Sequence, residues 1–166
     1  MFDGHGGSKV AQYSANHLHR YILARPEYAQ GQYSQAISEA FLECDRVMRT
    51  EESLKDEMAV LFIGMCVAEG STKYFTMQGC TAVTVWTRGK ELWCANAGDS
   101  RCVAGVGGVA RPLSQDHKPM DEKEKARIEA AGGFVEFNRV NGNLALSRWH
   151  SHSSYLGIKF FYGRRF

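Results

Sequence analysis

Midway along this chain the spacing of apolar residues changes period, and that change narrows the possible folds more than any other feature. Val10, Tyr13, Ser14, His17, Leu18, Tyr21 and Ile22 recur at i, i+3, i+4, i+7 spacing, which predicts a helix with Ser8 placed to cap it. Pro26 and Gly31 punctuate the chain. A second helix then carries Ile37, Ala40, Phe41, Cys44, Val47 and Met48 on one face, with Glu39, Glu43, Arg46 and Arg49 off it. His17 lies on the apolar stripe of the first helix and reads as a packed core histidine.

Beyond Met58 the character changes. Thr81 to Thr87 is β-branched, and Arg88-Gly89-Lys90 predicts a tight turn into a strand over Glu91 to Ala95. Arg101 to Val106 continues as a strand, and Gly107-Gly108 turns the chain again. Asp121 is placed to cap a short helix running to about Ala131 and closed by Gly132-Gly133. Phe134 to Phe137 alternates like a strand, and Asn141-Gly142 is the strongest hairpin dipeptide in the sequence. The apolar run Val60 to Val67 fits either a buried strand or an insertion. Two helices followed by a meander of strands predict an α+β fold, with helices packed on an antiparallel sheet.

Composition removes several function classes. A length of 166 residues suits about one domain, and a net charge of +2 does not favour a dedicated nucleic-acid binder. No run of roughly 18 apolar residues occurs, so no membrane span is expected. The start, Met1-Phe2-Asp3, has no basic and apolar leader. Cys44, Cys66, Cys80, Cys94 and Cys102 are scattered without a CxxC pair, which reads as reduced core thiols in an intracellular protein of the nucleus or cytoplasm.

Two Gly-flanked aspartates carry the chemistry. In Asp3-Gly4-His5-Gly6-Gly7, a carboxylate and an imidazole sit among residues small enough for close backbone approach to a charged centre. A carboxylate at a strand end can bridge two hard cations, and the Gly4 carbonyl can reach the same metal or a metal-bound water. Two such metals, roughly 3.5–4 Å apart, lower the pKa of a bound water and clamp both oxygens of an in-line displacement. His5 would stand near enough to protonate the departing alkoxide, and the helix after Ser8 aims its positive end at the same region. An ordinary strand-to-helix turn uses the same residue types. Asn96-Ala97-Gly98-Asp99-Ser100-Arg101 supplies the second turn-borne aspartate.

The ordered set of Asp3-Gly4-His5-Gly6-Gly7, Gly79-Cys80-Thr81-Ala82, Ala95 to Arg101, Leu113 to Pro119, Glu124 to Gly133 and Arg139 to Arg148 closely resembles the PP2C (PPM) family of protein serine/threonine phosphatases. Within that family it looks nearest to the gamma-type members. The resemblance implies a partial β-sandwich of antiparallel strands flanked by helices, over residues 1–148, with 149–166 a divergent, disordered tail. It implies hydrolysis of phosphoserine and phosphothreonine in protein substrates by a metal-activated water at a dinuclear Mg2+ or Mn2+ centre, two ions per complete site. Asp3 matches the bridging carboxylate, Gly4 the backbone carbonyl donor, His5 the general acid, and Asp99 an aspartate that some members use for a third metal. Arg101, Asp116 and His117 fall in family motifs as well, but read as hairpin and loop structure. The family's strands before the motif, its early arginine and its later metal-binding aspartates have no counterpart in this sequence. A catalytically inactive fragment acting as a binding or regulatory module is therefore the alternative. A folded chain is expected to be a monomer.

Overall fold

In the computed structural model, the structure describes residues 1–48, 79–142, 144–148, 150–151 and 164–165. The run from Val60 to Val67, Cys66 and most of the tail lie outside the described residues.

The chain opens on strand β1 (Phe2–His5) and turns through Gly6 and Gly7 into helix α1 (Lys9–Ala24). Val10, Ser14, Leu18 and Ile22 are its buried stripe, as the spacing predicted. Ser8 stands at the start, but its hydroxyl makes no capping bond. It pairs instead with the side-chain amide of Gln12 at 3.3 Å, because Ser8 itself is already near helical backbone angles (φ −100°, ψ −9°). Pro26 draws Arg25 into extended geometry, which ends α1 and starts the one-turn α2 (Pro26–Ala29). Helix α3 (Tyr33–Met48) buries Ala36, Ile37, Ala40, Phe41, Cys44 and Met48. Val47 is half-buried, while Asp45 is buried beside the apolar stripe.

Strand β2 (Gly79–Arg88) is the spine of the sheet. It pairs antiparallel with β1 along Phe2↔Ala82 to His5↔Gly79, and with β3 (Glu91–Ala97) along Ala82↔Ala97 to Arg88↔Glu91. Gly89-Lys90 forms the connecting turn. Two short stretches near the chain end also join: β8 (His150–Ser151) pairs with β2, and β9 (Arg164–Arg165) pairs with β3. Helices α1 and α3 lie on one face of this sheet. Since side chains alternate along a strand, that face receives Cys80, Ala82, Trp93, Ala95 and Ala97, which join Leu18, Ile22, Ile37 and Phe41 in the main core. Tyr28 and Tyr33 meet Trp86 and Trp93 edge-on, with ring centres 6.3 Å and 5.0 Å apart respectively. The opposite face carries a smaller cluster of Val83, Cys94 and Leu113, with Leu92, Cys102 and Ala104 packed on it.

The remaining chain covers that second face and the sheet's end. Strands β4 (Val103–Val106) and β5 (Val109–Pro112) form a hairpin, so the strand expected from Arg101 begins only at Val103. The reason is local: Cys102 turns its N–H to the Ser114 hydroxyl and its carbonyl to Leu113 N, which anchors the base of the hairpin. Helix α4 (Glu122–Ala130) follows Asp121, which again makes no side-chain cap. The expected strand over Phe134 to Phe137 shrinks to β6 (Val135–Glu136), which pairs with β7 (Arg139–Val140). Phe137 and Asn138 form the turn between them at φ 49° and 62°. Asn141-Gly142 does turn the chain, yet it closes only the single Val140↔Leu144 bridge. Regular pairing stops there because Ser147 and Arg148 are drawn away to Glu124 of α4. The result is the expected α+β layering. No described helix is long and apolar enough to cross a membrane.

Candidate active site

Strand alternation puts Asp3 and His5 on the sheet face turned away from α1, since Phe2 packs into the main core and Gly4 faces Ser8 and Ala11. Asp3 stands opposite Thr81 and donates its backbone N–H to the Thr81 hydroxyl at 3.4 Å. Thr81 in turn bonds the Ser100 hydroxyl at 2.6 Å. A buried threonine thus ties the Asp3 strand to the loop that carries Asp99. Gly4 is required by space: a Cβ there would sit 2.6 Å from the Gly7 carbonyl oxygen. The same tight turn brings the start of α1 against the end of β1.

The Asp99 loop is held from both sides. Gly98 adopts φ 116°, and a Cβ would lie 2.7 Å from Thr81. Its N–H donates to His117 Nδ1 at 3.2 Å, while its carbonyl accepts from the His117 N–H at 2.9 Å. Neutral His117 must therefore carry its ring proton on Nε2. Asn96 donates its amide to the Gly98 and Gln115 carbonyls, clamping the loop base. Arg101 and Asp116 form a two-pronged ion pair at 3.0 Å and 2.9 Å, the structural role that the sequence assigned to both. Asp99 itself pairs with Lys118 at 2.5 Å. That partner was missed from sequence, because it lies 19 residues away and no local pattern marks it.

His5 and both aspartates share one region. Burial pushes the His5 imidazole below its usual range, while the negative charges of Asp3 and Asp99 pull against that shift. His117 is likewise pushed down, by burial first and then by the Arg148 charge.

A second polar cluster fixes the loops from below. Glu124 is buried on α4 and accepts from Arg148 Nε at 2.9 Å, from the Ser147 hydroxyl at 2.8 Å and from Arg127 at 3.1 Å. Burial alone would raise its pKa, but the bonds from Arg148 and Ser147 and the two cationic charges win and pull it down to about 2. Ser147 N–H then reaches the His117 carbonyl, so the chain of bonds runs from α4 to the Asp99 loop.

Among the described residues, no three of His, Cys, Asp and Glu gather closely enough to hold a metal ion. Asp3 and Gly4 can offer a carboxylate and a carbonyl, and the Asp99 carboxylate is taken by Lys118. This donor set falls short of the several fixed oxygens that a hard divalent cation needs.

A helix-covered antiparallel sheet with Asp-Gly-His at the end of an edge strand defines the class. The protein phosphatase 2C family model matches residues 1–149, and the chain belongs to that family. A probable protein phosphatase 2C of Caenorhabditis elegans is 49% identical over 148 residues, which are 89% of this chain and 36% of that protein. Protein phosphatase 2C homolog 3 of Schizosaccharomyces pombe is 43% identical over 148 residues, 89% of this chain and 31% of its own. Among solved structures, a C. elegans sex determining protein superposes with a TM-score of 0.70 at 26% identity, over 99% of this chain and 38% of that one. The serine-threonine phosphatase 2C from Toxoplasma gondii also reaches 0.70, at 17% identity, over 99% of this chain and 61% of its own, which shows the shared fold. The chain spans about a third of the length of the first two relatives.

Proposed function

We propose that this chain forms part of the catalytic face of a metal-dependent protein serine/threonine phosphatase acting on phosphoserine and phosphothreonine proteins. The observation that supports this reading is that Thr81 ties the Asp3 strand to the Asp99 loop, accepting the Asp3 N–H at 3.4 Å and bonding the Ser100 hydroxyl at 2.6 Å. Mg2+ or Mn2+, two per complete site, is the metal requirement that goes with the family. Asp3 and the Gly4 carbonyl are the donors this chain offers, and Asp99 becomes one only by leaving Lys118. The rest of the cage has to come from outside the described residues. His5 is the proton donor for the departing serine or threonine oxygen, a role that contributes about a hundredfold or more when filled by a positioned imidazole.

The test is Mn2+-dependent phosphate release from a phosphothreonine peptide, compared among the wild type, Asp3→Asn and His5→Asn. The expected result is metal-dependent turnover, abolished in Asp3→Asn and reduced about a hundredfold in His5→Asn. Folded, soluble protein with no turnover at any Mn2+ concentration would sink the reading for this chain.

A further inference from the structure

Four of the five cysteines fall among the described residues, and two of them share one cluster. Cys94, on β3, lies in the small cluster on the sheet face away from α1, and Cys102, at the base of the β4–β5 hairpin, packs against that cluster. They pack in the small cluster on the helix-free face of the sheet, with Val83 and Leu113. Their exposure differs. Cys94 is fully buried, whereas Cys102 is half-buried and opens on a groove of about 510 Å3 that Met1, Leu18 and Arg101 also line. Between them in sequence lies the Asp99 loop.

We propose that Cys94 and Cys102 are a peroxide-sensitive dithiol, closing a disulfide that ties together the two ends of the Asp99 loop. Hydrogen peroxide reaches Cys102 through the groove. The Cys102 thiolate attacks the peroxide, the O–O bond breaks, and Cys102 becomes a sulfenic acid as hydroxide leaves. The Cys94 sulfur then attacks the Cys102 sulfur and displaces its hydroxyl. The Cys94 proton and the proton released from Cys102 leave in water, so two thiols and one peroxide yield one disulfide and two waters. The order of attack follows from exposure, with support from acidity: burial and the neighbouring Cys102 push the Cys94 thiol up to about 12, so it resolves rather than initiates. Cys44 and Cys80 are fully buried and pushed up to about 12 and about 11, which leaves them poor competitors. The pair does not depend on the phosphatase reading.

The reduced full-length chain is treated with hydrogen peroxide, its remaining thiols are alkylated in denaturant, and it is digested with trypsin without reduction. Cleavage after Arg101 puts the two cysteines in different peptides, so the disulfide joins Glu91–Arg101 to the peptide that begins at Cys102. The expected result is that this linked species is the main oxidised product and reverts with dithiothreitol. Cys94→Ser is expected to abolish it and to leave Cys102 as a dimedone-reactive sulfenic acid. If that variant does not fold, the wild type digested after oxidation in urea serves instead, with a several-fold lower yield of the link expected. Cys102 recovered as unlinked sulfinic acid with Cys94 alkylated, full alkylation of both, or equal yields in native and urea-treated protein would each overturn the proposal.

Discussion

Gly98 shows how much of the site rests on single residues. Its φ of 116° lies where side chains are rarely tolerated, and Thr81 and the Arg148 carbonyl fill the space a Cβ would need. Gly98→Ala is expected to cost on the order of 2 kcal/mol or more in urea unfolding, from backbone strain with a steric clash added. An unchanged unfolding midpoint would show that the loop relaxes freely. The sequence marked Gly98 and Asp99 as a turn, and that much was legible. It could not show that Asp99 is held by Lys118, because an ion pair between separate loops leaves no local periodicity.

Helices α1 and α3 were readable almost residue by residue. An amphipathic helix must repeat its apolar positions to bury one face, and that repeat is in the sequence. Phe41, fully buried at the centre of α3, is expected to cost about 3–5 kcal/mol when replaced by alanine. Leu42, its neighbour, is 37% exposed, so Leu42→Ala should stay within about 1 kcal/mol in the same denaturation series. Equal effects would mean that α3 presents a different face. The hairpin of β6 and β7 was not readable. Its turn uses Phe137 and Asn138, and Phe137 in left-handed geometry is an unusual choice, set by the two-residue turn while its side chain stays 84% exposed. The stronger dipeptide, Asn141-Gly142, supports that hairpin from outside, as Asn141 Oδ1 accepts the Phe134 N–H at 3.1 Å.

Across the whole molecule, one buried carboxylate joins α4 to the segment that ends in Arg148. Removing it leaves Arg148, 7% exposed, without its counter-charge, so Glu124→Ala is expected to cost about 3–5 kcal/mol. The pH dependence follows from the same groups. His5 and His117 both lie below the ordinary 6.5 in the folded chain, so the unfolded chain takes up protons first as pH falls. Stability is therefore full above 6.5 and declines as the pH drops through it, levelling below the folded values. Glu124 adds a second decline, beginning near its ordinary 4.5 and continuing toward its folded value of about 2. Thermal unfolding from pH 8 to pH 3 should show both stages. A flat Tm between about pH 7 and 5.5 would contradict the histidine contribution. By itself the sequence determined the helices, the main strands and the glycine turn that follows Asp3, Gly4 and His5, because periodicity and glycine placement are local properties. Tertiary structure alone decided which side chains meet: Asp99 with Lys118 and Glu124 with Arg148 as ion pairs, and Cys94 and Cys102 in one apolar cluster. Those pairings depend on how separate loops pack against a common sheet, and no short-range pattern encodes that distance.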